Sequence, residues 1–122
     1  MSLSGVHTSY LRLGQEAGAI VLGFNVQDLT EELNVEQLGH DMFQLVDQNN
    51  LDKLVLDLDG VRYLTSSVLG KFITLHRRLH RKNGKLVLSR PSEPVREILK
   101  QSRLLDYFNV RDSIPDAVKA LH

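Results

Sequence analysis

The sequence predicts an α/β fold: one domain with a mostly parallel central sheet of about five strands, an antiparallel N-terminal hairpin and about four helices. The chain of 122 residues has the length of a single domain. After an opening pair of short strands, apolar strand-like segments alternate with segments of helical periodicity. Residues 54–58 are almost continuously apolar, which is typical of a strand buried on both faces of a parallel sheet.

The first half of the chain begins with a predicted hairpin. Residues 9–14 alternate between polar and apolar side chains, and residues 19–24 are mostly apolar, so each range is predicted to be a strand. The turn-like segment 15–18 joins the two strands. A polar loop then leads to Asn34, a good N-cap for a helix that ends near residue 50. The apolar positions of this helix recur at helical spacing: Val35, Leu38, Met42, Leu45 and Val46.

The middle of the chain holds the predicted central strand, 54–58, followed by a loop over residues 59–65. A helix is predicted from Ser66 to Asn83, where Asn-Gly is a natural C-terminal stop. The residues expected to form its buried stripe are Leu69, Phe72, Ile73, Leu75 and Leu79.

The last part of the chain repeats the alternation. Residues 86–88 are a predicted strand, and a helix beginning near Ser92 follows. Residues 105–110 are predicted to be a short final strand or an extended segment. Ser113 is predicted to cap the last helix, with a proline in its first turn.

Composition excludes several classes of protein. Cysteine is absent, so disulfides, thiolate zinc sites and a cysteine nucleophile are ruled out. No apolar run approaches the roughly 20 residues needed to span a bilayer, and no segment resembles a signal peptide. We therefore expect a cytoplasmic protein with no membrane contact.

The net charge of zero conceals a strong polarisation of the sequence. Acids exceed bases by eight in residues 1–60, and bases exceed acids by eight in residues 61–122. We expect the two halves to interleave in one fold and neutralise each other. The alternative is a two-sided surface that steers charged partners.

One segment resembles a catalytic motif. Asp57 and Asp59 end the central strand in a D-x-D-G pattern, as in the first motif of haloacid-dehalogenase-type phosphatases. In such an enzyme Asp57 would attack a phosphoryl group and Asp59 would act as acid and base. These enzymes also need a later acidic pair to hold Mg²⁺, and the sequence offers only the isolated Asp106 and Asp112. We therefore favour a structural role for this segment.

The helix after residue 66 carries a basic stretch. His76 and His80 share one face at a spacing that can bind zinc, but the surrounding bases of 77–82 oppose a dication. The same bases lack the interleaved aromatic residues of a nucleic-acid interface. We predict a solvated helix face, with no metal, no cofactor and no direct nucleic-acid partner.

Three hydroxyl residues, Thr65, Ser66 and Ser67, lie where a loop enters this helix. A structural role would be capping, in which Thr65 or Ser66 accepts a hydrogen bond from an amide further along. A functional role would be phosphorylation, because a helix start tolerates the added negative charge. The spacing alone leaves both roles open.

From residue 8 to 121 the chain resembles the STAS domain, the family of anti-sigma factor antagonists, stressosome proteins and sulphate-transporter tails. Residues 54–58 resemble its apolar strand ending in D-L-S, and residues 65–70 lie on its D-S-S-G-L-G signature. Residues 83–88 resemble its G-x-x-L-x-L pattern, and residues 95–121 match its closing pattern. Two positions depart from the signature, where Thr65 replaces Asp and Val68 replaces Gly.

The resemblance implies a non-enzymatic switch. It implies that the protein binds a serine-kinase anti-sigma factor, that this kinase phosphorylates Ser66 to break the complex, and that a phosphatase restores it. Thr65 and Ser67 flank Ser66 as partner contacts and as alternative acceptors, while Asp28 and Lys71 are expected to border the docking surface. A degenerate STAS scaffold without phosphorylation is the alternative.

Overall fold

The computed structural model describes residues 10–30 and 35–122. Two predicted positions, Ser9 in the first strand and the N-cap Asn34, lie outside these residues. All four predicted helices are confirmed among the described residues. In chain order the elements are β1 (Leu11–Glu16), β2 (Ala19–Phe24), β3 (Asp28–Leu29), α1 (Val35–Gln48), β4 (Lys53–Asp57), β5 (Tyr63–Leu64), α2 (Ser66–Arg81), β6 (Lys85–Ser89), α3 (Glu93–Gln101), β7 (Val110–Arg111) and α4 (Ile114–Leu121).

The central sheet has five strands in the order β1-β2-β4-β6-β7. Strand β1 runs antiparallel to β2, and every other neighbouring pair is parallel. The predicted mixed sheet with its antiparallel hairpin is therefore confirmed. Because β2, β4 and β6 are parallel, their carboxyl ends lie at one edge of the sheet, and the chain leaves each of them there toward α1, α2 and α3.

The core lies on both faces of this sheet. Leu54 and Leu56 of β4 join a large apolar cluster with side chains of α1, α2 and α3. Val55, between them, points to the opposite face and joins a smaller cluster under α4. All three are fully buried, as predicted for a strand covered on both faces.

The first strand begins and ends two residues later than predicted. Residues 15 and 16 belong to β1 and pair with Ile20 and Ala19, so the turn contains only Ala17 and Gly18. Both turn residues have positive φ, 50° and 85°. A two-residue hairpin turn of this hand matches the twist of the strands, and that geometry shortened the predicted turn.

The predicted final strand over residues 105–110 was largely wrong. Residues 105–109 form turns, and only β7 at Val110 extends the sheet beside β6. The Phe108 N–H donates to the Leu104 carbonyl at 3.0 Å, and Asn109 has a φ of 56°. This turn places the Phe108 side chain in the core with no exposed surface, and its burial outweighs the strand preference of the local sequence.

A second, two-stranded sheet was not predicted. Strands β3 and β5 pair in parallel, with Asp28 opposite Tyr63 and Leu29 opposite Leu64. The sequence placed both segments in loops, because two residues are too few to show an alternation. This ribbon ties the chain before α1 to the chain before α2.

Ion pairs join the acid-rich and base-rich halves of the chain. Among the described residues, five of the seven ion pairs join a carboxylate from residues 1–60 to a base from residues 61–122, as expected for two halves that interleave. The five pairs are Arg62–Asp28, Lys71–Glu36, Arg78–Asp47, Arg90–Asp57 and Arg90–Asp59.

Candidate functional site

The candidate site is the start of helix α2. Thr65 has an extended backbone, with φ −94° and ψ 167°, and its Oγ1 accepts a hydrogen bond from the Val68 N–H at 3.5 Å. Its carbonyl accepts from the Leu69 N–H at 3.0 Å. Thr65 is therefore the N-cap of α2.

Ser66 and Ser67 are the first two residues of α2, and both are exposed. Because Thr65 supplies the cap, capping does not require the Ser66 hydroxyl. The amides of the first helical turn point toward this end of the helix and favour negative charge. An anionic group on Ser66 would thus lie in a favourable local field and in reach of a second protein.

Val68 stands where the family signature has glycine, and its side chain has no exposed surface. It packs in the large core cluster beneath the helix start. The valine therefore adds apolar packing inside the domain and does not narrow the access to Ser66 from solution. Gly70, on the outside of the helix, has open space around the position of a Cβ.

The two-stranded ribbon brings Asp28 close to the start of α2. Asp28 lies opposite Tyr63, and the Thr65 N–H donates to the Leu29 carbonyl at 3.1 Å. An exposed ion pair of 3.4 Å joins the Asp28 carboxylate to the Arg62 guanidinium. The predicted acid and the predicted hydroxyls thus belong to one surface, although 37 residues separate Asp28 from Thr65 in the sequence.

Tyr63 belongs to the same surface and was missed by the sequence reasoning. Its side chain is 49% exposed, which is unusual for a large aromatic residue. The neighbouring Leu64 is buried. No sequence signal marked this tyrosine, because a strand of two residues is too short to show which side chain points outward.

Lys71 is held against α1 and away from the helix start. Its Nζ lies 3.0 Å from Glu36 Oε2, and its side chain is 23% exposed. Its methylenes cover Gly39, where an added Cβ would come within 2.8 Å of Lys71 Cδ. A partner that uses Lys71 would have to compete with Glu36.

The carboxylate of Asp57 is clamped by arginine. Arg90 approaches it with two nitrogens, Nε at 3.0 Å from Oδ1 and Nη2 at 2.6 Å from Oδ2. The Asp59 N–H donates to Oδ1 at 3.1 Å, and Arg12 Nη2 lies 3.8 Å from Oδ2. Hydrogen bonding to Asp57 raises the pKa of Arg90.

This clamp argues against the phosphatase alternative. The Asp57 side chain is only 5% exposed, and both oxygens already accept hydrogen bonds. A nucleophilic carboxylate needs a free oxygen facing substrate. Within residues 10–30 and 35–122, no group of three histidine or acidic side chains is placed to hold a metal ion.

The described helices are also too short or too polar to cross a membrane. Helix α2, with 16 residues, is the longest of them, whereas a membrane-spanning helix needs roughly 20 apolar residues.

Comparison with known proteins gives consistent matches. A family model described as the STAS domain matches residues 21–117. The Bordetella bronchiseptica protein BtrV, provisionally named an anti-sigma factor antagonist, is 30% identical over 95 residues. The match covers 78% of this chain and 81% of BtrV.

Solved structures share the fold. An anti-sigma-factor antagonist (STAS) domain protein from Planctomyces limnophilus has a TM-score of 0.80 at 23% identity, covering 91% of this chain and 97% of that one. The anti-sigma factor antagonist SpoIIAA in its unphosphorylated form has a TM-score of 0.75 at 19% identity, with coverages of 90% and 94%. The phosphorylated form of SpoIIAA, from Bacillus, has a TM-score of 0.68 at 18% identity, covering 92% of this chain and 99% of that one.

Proposed function

The chain belongs to the STAS domain family, and we propose that it is an anti-sigma factor antagonist that binds a serine-kinase anti-sigma factor and is released when Ser66 is phosphorylated. The observation that carries this proposal is the exposed Ser66 at a helix start whose cap is supplied by Thr65. Such a protein regulates by contact and needs no catalytic group of its own. It works in the cytoplasm, where a phosphatase resets the switch.

Phosphorylation would work as a switch by changing the charge of the surface at Ser66 while the fold of the domain stays the same. A phosphate adds about −1.5 to −2 charge. In the free protein the amides at the start of α2 stabilise that charge, so the domain stays folded. In a complex the same dianion would be buried against a surface that had fitted a neutral hydroxyl, and its desolvation would expel the partner.

We propose that the docking surface extends from Ser66 to the ribbon. Asp28 and Tyr63 flank the helix start, and an exposed tyrosine beside a charged residue is a common centre of binding energy. The existing ion pair with Arg62 holds the Asp28 carboxylate in place. Support from relatives is that SpoIIAA, an anti-sigma factor antagonist, is known in both unphosphorylated and phosphorylated forms.

The test captures the partner and maps the phosphate. The purified protein is used to bind proteins from the native cytosol, and mass spectrometry scores bound kinases and phosphate on residues 65–67. The captured kinase is then measured against wild type, Ser66→Ala and Ser66→Asp. The matched control is Ser113→Asp, which places the same charge at the N-cap of α4.

We expect Ser66→Asp to weaken kinase binding at least tenfold, which is about 1.4 kcal/mol, while Ser113→Asp and Ser66→Ala bind like wild type. Phosphate on Thr65 or Ser67 alone would refute Ser66 as the acceptor. Equal binding by all variants together with no phosphate on any of the three hydroxyls would refute the switch and favour a scaffold without phosphorylation.

A further inference from the structure

The basic stretch of α2 divides into two faces. Lys71 and Arg78 point toward α1, where they pair with Glu36 and Asp47. The Arg78 guanidinium also lies 4.4 Å from the centre of the Phe43 ring. These charges are satisfied within the domain, so they are not free for a ligand.

The other face presents two guanidinium groups without acidic partners. Arg77 and Arg81, one helical turn apart, are exposed. No carboxylate within residues 10–30 or 35–122 forms an ion pair with either of them. Arginine in this situation is suited to binding carboxylates, which it can hold through two parallel hydrogen bonds.

A cavity of about 370 Å³ lies between these arginines and the turn at residues 105–109. Aromatic rings form its wall. The His76 ring lies 4.9 Å from the Tyr107 ring and 6.3 Å from the nearly parallel His80 ring. Tyr107 is 41% exposed and lies at the solvent side of this wall.

The neutral form of the His76 ring is favoured in this wall. Burial, and to a lesser extent His80, lowers the pKa of His76. The His76 Nδ1 atom is buried and has no hydrogen-bond partner within the described part of the chain. An aromatic wall beside two guanidiniums that form no ion pair with the described carboxylates suits a ligand with an aromatic ring and adjacent negative charge.

We propose that this cavity, lined by His76, Arg77, His80, Arg81 and Tyr107, is a second docking site that binds an acidic peptide segment of a partner through one aromatic side chain. The ring stacks on the wall, and carboxylates on either side bind Arg77 and Arg81. The site begins ten residues after Ser66, which is about 15 Å along the helix axis. It is therefore separate from the phosphorylation switch and does not depend on it.

The probe is the acetylated, amidated pentapeptide Glu-Asp-Trp-Asp-Glu. This chain contains no tryptophan, so the fluorescence of the peptide reports binding without interference. Two further peptides separate the contributions: one with Ala in place of Trp, scored by its competition with the tryptophan peptide because it has no fluorophore, and one with Lys in place of all four acids. Proton NMR of the histidine rings locates the site on wild-type protein at low ionic strength.

Three variants complete the design. The double variant Arg77→Ala/Arg81→Ala removes the guanidiniums, and Tyr107→Ala removes part of the wall. The matched control Lys100→Ala/Lys119→Ala removes the same charge from exposed positions on other helices. We expect the acidic peptide to bind with a dissociation constant below about 1 mM and the double arginine variant to weaken it at least tenfold. Tyr107→Ala weakens it at least threefold, the lysine control changes it less than twofold, and the rings of His76 and His80 shift.

Four results would overturn the proposal. They are no binding of the acidic peptide up to about 2 mM, equal binding of the basic peptide, equal losses in the arginine and lysine double variants, and unchanged rings of His76 and His80. A negative result for phosphorylation of Ser66 does not change the expected binding of the acidic peptide. The two proposals can therefore be refuted independently.

Discussion

Replacing Asp57 by asparagine tests whether this carboxylate is structural. The substitution keeps the size of the side chain but removes its charge. Asparagine can still accept a hydrogen bond from one Arg90 nitrogen, while its amide group turns a donor toward the other. At least one charge-assisted hydrogen bond, worth about 1.5–3 kcal/mol, is lost from a side chain that is 5% exposed.

The free energy lost with this hydrogen bond lies in the lower part of that range, because the Arg90 side chain is 41% exposed and can bind water instead. We expect a loss of about 2 kcal/mol in the free energy of unfolding, and a fall of about 8 °C in Tm for a domain of this size. The matched control is Asp59→Asn, whose carboxylate is 61% exposed and 3.8 Å from Arg90. That change should cost no more than about 0.5 kcal/mol.

Urea unfolding of both variants gives these free energies, and the binding partner captured by the wild type gives the functional comparison. We expect Asp57→Asn to be less stable yet to bind the partner with unchanged affinity once folded. A variant as stable as wild type would show that the hydrogen bonds from Arg90 to Asp57 do not stabilise the fold. Wild-type hydrolysis of a phosphate ester in the presence of Mg²⁺, abolished by Asp57→Asn, would refute the structural role outright.

Three further changes have definite outcomes. Thr65→Ala removes the cap of α2 and should cost about 1 kcal/mol, whereas Thr65→Ser should keep most of it; equal losses in thermal unfolding would exclude a capping role. Gly84→Ala would put a Cβ 2.7 Å from the Asp52 carbonyl oxygen, so we expect a loss above about 2 kcal/mol in urea, and a neutral result would contradict the close packing. Because burial lowers the pKa of His76, the unfolded chain binds more protons than the folded one as pH falls through the ordinary value of 6.5. Wild type should therefore lose stability relative to His76→Gln between about pH 7.5 and about pH 5.5, and parallel stability curves would refute the shift.

Local patterns in the sequence determined most of the fold. The apolar run at 54–58 and the helical spacing after Ser66 both arise from periodicities that neighbouring residues complete by themselves. Capping of α2 by Thr65 or Ser66 could also be predicted, because it depends on amides within one helical turn, and the structure assigns the cap to Thr65. The hydroxyls of the candidate site were found for this reason.

Pairings between distant residues could not be predicted. The D-x-D-G segment was compatible with a nucleophile or with a structural acid, and Arg90, 33 residues further on, decided in favour of structure. Likewise, only the packing of α1 against α2 determines that Lys71 is bound to Glu36 whereas Arg77 faces solvent.

The proposed docking surface is a product of tertiary structure. Asp28 and Tyr63 become neighbours through two-residue strands that carry no periodic signal of their own. Phe108 turns into the core because burying its ring lowers the free energy more than extending the sheet would. Local sequence sets which elements form, and the free energy gained when remote surfaces leave water together sets which side chains meet.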